Sequence, residues 1–186
     1  MKKQMSLLGT GILGTLLILG LSNKGSYGRV PVDVKGLSHY FADAFSSDRT
    51  EFETAHPSKI NSLFVKDDGS GPTAMIILVA HNDDLTDNVQ RITNTKQIPL
   101  VFSVSTLPFK EAEFEPYHIE FEQNNKIWQP QIEGEYEIFP LSSEGKFGGT
   151  IHDGEIHQGV VMLPDWFDVH RPIIIRYFAS QRMLRF

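Results

Sequence analysis

The chain reads as a mainly β protein, an antiparallel β-sandwich with one or two short helices, preceded by an N-terminal apolar helix. Three observations predict this. Short runs of β-branched and aromatic residues recur between residues 60 and 186. Clusters of Gly, Asn, Asp and Ser with turn composition separate them. One uncharged apolar stretch, residues 5–21, stands ahead of them all.

The N-terminal stretch follows Lys2 and Lys3 and is diluted by Gly9, Gly11, Gly14 and Gly20. A positive start followed by an apolar run is the pattern of a secretory signal. As a helix it spans roughly 25 Å, slightly short for a full bilayer crossing. Small residues fit cleavage before Asn23 or before Arg29. The expected organisation is a signal peptide or membrane anchor at 1–22, a Gly/Ser/Pro-rich linker at 23–36, and a single β-rich domain at 37–186. The positive end stays inside. The domain is therefore expected to be periplasmic or secreted, either free or tethered to the inner membrane through residues 5–21.

Composition narrows the class further. Of 186 residues, 40% are apolar, with 13 Phe, 5 Tyr and 2 Trp, enough to build a core. The net charge of −6 becomes −8 without Lys2 and Lys3, because 15 basic residues then face 23 acidic ones. An acidic chain without a Lys/Arg run is a poor match for nucleic acid or an anionic lipid surface. With no Cys, disulfides, thiol catalysis, thiolate metal sites and N-terminal lipidation are all excluded.

Along the domain, Leu37, Phe41 and Phe45 fall at helical spacing and predict a short helix. Residues 60–65 and 73–81 (TAMIILVAH) form a strand pair around a turn at 66–71. The unbroken apolar run 75–80 implies a strand covered on both faces. Residues 84–93 stay open between two readings: Leu85, Val89 and Ile92 have helical spacing, while Asn94-Thr95-Lys96 suits a hairpin turn. Residues 98–107 (IPLVFSVSTL) form another strand. Residues 117–123 and 127–129 make a hairpin around 124–126, with Ile119 and Phe121 on one face and His118, Glu120 and Glu122 on the other. A second hairpin within 147–163 turns at Asp153-Gly154, residues that tolerate the positive φ of a tight turn. Residues 172–178 (PIIIRYF) are a late strand, and 183–186 a short extra one.

Residues 148–164 (GGTIHDGEIHQGVVMLP) followed by 172–178 resemble the closing hairpin and last strand of immunoglobulin-like domains in small exported bacterial proteins of unknown function. The resemblance implies an immunoglobulin-like sandwich acting as an interaction or accessory module, and it carries no functional residue with it.

Three groups of residues are candidates for chemistry. Ala80-His81-Asn82-Asp83-Asp84 resembles the Ala-His-Pro-Asp-Asp-Glu motif of zinc-dependent N-acetylglucosaminyl deacetylases, differing at Asn82 and at Leu85. That resemblance implies His81 and Asp84 as metal ligands and Asp83 as general base, an arrangement suited to a zinc-bound water. The other reading is a strand end followed by an Asx turn or helix N-cap. In the second group a two-residue turn at Asp153-Gly154 sets His152 opposite Glu155, with His157 on the same face and Ile151 and Ile156 toward the core. Such a face offers zinc or copper three ligands, or is a solvated polar surface. The third group is Trp166-Phe167 between Asp165 and Asp168, which either contacts a partner or sugar or folds back to plug the core.

No Gly-x-Ser-x-Gly elbow or Gly-rich phosphate loop is present. The expected function is therefore a non-catalytic, cofactor-free accessory or interaction module of the cell envelope. Its partner would be a protein, with no nucleic acid and with membrane contact only through the N-terminal segment. The alternatives are a metal-dependent hydrolase on His81, Asp83 and Asp84, helped by His152 or His157, and a small-ligand binder using the Trp166 loop.

Overall fold

In a computed structural model of the chain, which describes residues 60–66, 73–81, 83–131, 137–141 and 147–186, the β-forming runs become strands that are all paired antiparallel. The segments 1–22 and 23–36 and the helix expected at 37–45 lie outside the described residues. Among the described residues no helix is long and apolar enough to cross a membrane.

The elements run as β1 (Ile60–Lys66), β2 (Thr73–Ala80), α1 (Asp83–Thr93), β3 (Ile98–Thr106), β4 (Ala112–Phe114), a 3-10 turn (Pro116–His118), β5 (Ile119–Gln123), β6 (Lys126–Trp128), β7 (Ile138–Pro140), β8 (Gly149–Ile151), β9 (His157–Leu163), β10 (Ile173–Tyr177) and β11 (Ser180–Leu184). They form a five-stranded sheet of order β1-β2-β3-β9-β7, a four-stranded sheet β11-β10-β5-β6, and the pair β4-β8.

Alternation decides which way the side chains face. In β5, Ile119 and Phe121 are buried while Glu120 and Glu122 are half-buried; in β10, Ile173, Ile175 and Tyr177 are buried and alternate with Ile174 and Arg176. These buried rows share one core with Ile77, Val79, Leu100, Phe102 and Val161 of the five-stranded sheet. Each fully buried residue of this kind stabilises by about 1.5–3 kcal/mol. The opposite face of the five-stranded sheet is buried too: Ile76, Leu78, Val101, Val160 and Met162 pack with Leu85 and Val89 of α1. Double coverage explains why 75–80 is apolar without a break.

Residues 84–93 are helical. The spacing of Leu85 and Val89 prevails because it lays one stripe onto the sheet. Asn94, at φ 53°, ends the helix in the left-handed conformation common after a last turn and does not close a hairpin. Gln90 Nε2 then donates to the carbonyls of Lys96 (3.2 Å) and Gln97 (3.2 Å), fixing the path into β3.

The β5–β6 hairpin turns on Asn124 and Asn125, at φ 54° and 60°. Positive φ at both central residues matches the twist of the flanking strands. The hairpin expected within 147–163 does not form. The Asp153-Gly154 turn is present, with Gly154 at φ 79° and the Glu155 N–H donating to the His152 carbonyl at 3.0 Å. Beyond it the strands part: β8 pairs with β4, while β9 has β3 along one edge and β7 along the other. A strand has only two edges, and both of those on β9 are taken. Ile151 therefore enters the core between the sheets, whereas Ile156 packs against the apolar cluster on the far side.

Side-chain bonds join the two sheets at the edges β1 and β11. The Asn61 side-chain amide donates to the Arg185 carbonyl at 3.0 Å and accepts from the Arg185 N–H at 3.1 Å. At the other end of the same edge, the Lys66 N–H donates to Ser180 Oγ at 3.4 Å. These contacts set the strand ends in common. The ends at Lys66, Thr106, His157, Tyr177 and Ile119 lie at one end of the molecule; Ala80, Ile98, Leu163, Ile173 and Leu184 lie at the other.

Candidate functional site

The first candidate group sits where β2 hands over to α1. His81 follows the last strand residue, and its side chain is only 4% exposed. Its Nε2–H donates to Asp83 Oδ1 at 3.1 Å, since a carboxylate can only accept. Phe186 lies against the ring at a centroid separation of 5.6 Å. In the neutral ring Nδ1 is then an acceptor, and it is buried with no hydrogen-bond partner among the described residues. Asp83 itself is 76% exposed and opens the helix. Asn82 and the Asp84 side chain lie outside the described residues.

The second group departs from the expected geometry. Without a β8–β9 hairpin, His152 and His157 do not share one strand-pair face. His152 is exposed, and its Nδ1 bonds Glu111 Oε1 at 2.7 Å. Glu155 folds back over the turn, its Oε2 accepting from the His152 backbone N–H at 3.0 Å. His157 is buried, with Nε2 at 3.7 Å from Glu155 Oε2 and Nδ1 without a hydrogen-bond partner among the described residues. One histidine is thus a surface group and the other a core group. Nothing in the spacing pointed to Glu111, which lies 41 positions from His152.

The two groups do not cooperate. Ala80 pairs with Val101 and Val101 with Val160, three residues along β9 from His157. His81 lies one residue beyond Ala80, so two strand spacings and four residues of rise separate the Cα atoms of His81 and His157 by roughly 17 Å. The register thus sets His81 and His157 toward opposite ends of the five-stranded sheet. Among the described residues no group of three or more His, Asp or Glu side chains is placed to hold a metal ion.

The third group closes the core. Phe167 is buried against Phe121 and Trp128, at centroid separations of 6.3 and 6.4 Å. Trp166, half-buried, stacks on Phe167 at 3.9 Å, and Lys126 Nζ lies 5.5 Å from the Trp166 ring centre. Phe167 is therefore not presented to a ligand. The loop is held from below by Gln123, a buried side chain in β5. Its Nε2 donates to the carbonyls of Asp168 (2.8 Å), Arg171 (3.2 Å) and Pro172 (3.3 Å), and its Oε1 accepts from the Asp168 N–H (2.7 Å).

One further polar group is buried between the sheets. The Tyr177 hydroxyl accepts the Glu115 backbone N–H at 2.9 Å, and its ring lies 5.5 Å from Phe114. Burial pushes its phenol up from 10.0 to about 12, despite the Glu115 backbone bond that favours the ionised form.

No protein-family model, curated protein or solved structure matches the chain.

Proposed function

We propose that this chain is an exported accessory or interaction module of the cell envelope, non-catalytic, and built as an immunoglobulin-like sandwich. Residues 1–22 would take it out of the cytoplasm, leaving the domain periplasmic or secreted, free or tethered through residues 5–21. Its partner would be a protein. The observation that carries this reading is how the chemically suggestive residues are spent. Phe167 lies in the core, Trp166 covers it, His157 is buried beside Glu155, and Glu155 closes a turn. Polar side chains with several bonds, Gln123 and Asn61, bind backbone and hold loops and edges in place.

A second reading, a metal-dependent hydrolase, is favoured by one observation: Nδ1 of His81, beside Asp83, is buried with no hydrogen-bond partner among the described residues. An imidazole nitrogen with a free lone pair is a ligand for zinc. Complementation separates the two. In a strain lacking the gene, full-length protein carrying His81→Ala is expected to restore whatever phenotype the deletion produces. Loss of rescue, with the variant folded and present at normal level, would favour the hydrolase.

A further inference from the structure

The two most exposed large apolar side chains of the described residues stand in a backbone conformation that residues with a Cβ avoid. Phe109 is 95% exposed at φ 62°, and Phe178 is 69% exposed at φ 49°. The left-handed region sets Cβ against the neighbouring carbonyl, so turns normally place Gly or Asn there. Both phenylalanines sit in turns, and strand register brings these to the same end of the molecule. Phe109 follows the end of β3 and Phe178 the end of β10.

Both turns are braced. The Lys110 N–H donates to the Leu107 carbonyl at 3.2 Å, Thr106 Oγ1 donates to the Lys110 carbonyl at 3.1 Å, and the Leu107 N–H donates to the Ala74 carbonyl at 3.1 Å. Phe178 rests edge-on against His118 (5.0 Å) and against the buried Tyr177 (4.8 Å). A ring held this way has little freedom left to lose on binding, the property of an anchor residue. The surroundings are acidic: among the described residues, these turns and strand ends carry exposed Glu111, Glu113, Glu115, Asp153 and Glu155 against Lys66 and Lys110.

Building on the interaction-module reading, we infer that this end of the molecule docks a protein partner whose surface is basic and offers apolar pockets to Phe109 and Phe178. The charge selects the occupant. Five carboxylates against two ammonium groups among the described residues repel an anionic bilayer and a second copy of the same acidic end, and they attract a basic surface.

Site-specific photocross-linking tests this with the full-length protein in its native host. Benzoylphenylalanine is placed at 109, at 178 or, as a control, at the exposed Ile127 in β6. Positions 109 and 178 are expected to capture the same discrete protein, with a basic surface, and position 127 not to. Binding of that purified protein is expected to weaken at least tenfold for Phe109→Ser and for Phe178→Ser, and to weaken further as salt is raised. Adducts only to lipid, to a second copy, or to an acidic protein overturn the inference. Capture from 127 alone overturns the location while leaving the interaction-module reading in place. Capture from none of the three positions removes both.

Discussion

Gly159→Ala is the sharpest test of how the two sheets fit together. A Cβ at this position in β9 would stand 2.2, 2.3 and 2.6 Å from Cγ, Cδ1 and Cδ2 of Phe147. Carbon atoms in contact sit about 3.5–4.0 Å apart, so the ring must retreat by more than about 1 Å. It has no easy route. Phe147 is buried, with Phe114 at 5.4 Å and Phe102 at 6.1 Å. The clashing atoms are at the root of the ring, so rotating its far edge relieves nothing. Overpacking of this kind costs about 1–3 kcal/mol, and full expulsion of a core Phe about 3–5. The expected loss is therefore about 2–4 kcal/mol, read as a lower urea midpoint with unchanged slope from the fluorescence of Trp128 and Trp166. In a Phe147→Ala background the added methyl meets empty space, and Gly159→Ala is expected to be neutral or mildly stabilising. A loss under about 0.5 kcal/mol for Gly159→Ala alone, or an equal loss in both backgrounds, would refute the packing argument.

Other variants test other joints. Asn61→Ala removes both bonds to the Arg185 backbone and is expected to cost about 1–3 kcal/mol in the same titration, with the β11 edge losing hydrogen-exchange protection first. Gln123→Leu keeps the volume but strips one N–H donor and three carbonyls of their partner; a loss of about 2–4 kcal/mol is expected, and an unchanged midpoint would contradict the network. Tyr177 sets a pH window. Its folded pKa, about 12, lies above the ordinary value of 10.0, so its contribution is fully present below pH 10 and is lost as pH rises toward 12. Tyr177→Phe is expected to flatten that alkaline fall in stability, measured as urea midpoint against pH.

How far the sequence carries the fold depends on how local each feature is. Residues 75–80 and 98–106 were legible as strands because burial on both faces or in the core leaves an apolar signature along the chain. The Asn124-Asn125 hairpin was legible because its turn chemistry and its strand partner are adjacent. Asp153-Gly154 shows where this stops: the residues specify a reversal, while the pairing of β8 with β4 depends on edges contributed by distant segments. β4 and β7, three residues each, are too short to leave a period, and the sequence reading missed them as strands. Of the candidate sites, the plugging role of Trp166 and Phe167 could be read from their apolar area. The division of His152 from His157 could not, because it follows from which sheet each side of the turn joins. Phe109 and Phe178 were missed because positive φ at a phenylalanine has no signature in residue type.

On the non-catalytic reading proposed above, His81 and Asp83 serve structure at the junction of β2 and α1. Elemental analysis of the full-length protein, purified without chelator, tests it most directly. Less than about 0.1 zinc or copper per chain is expected, with no rise in melting temperature when either metal is added. About one zinc per chain, retained through purification and lost on His81→Ala, would contradict it and establish the hydrolase reading instead.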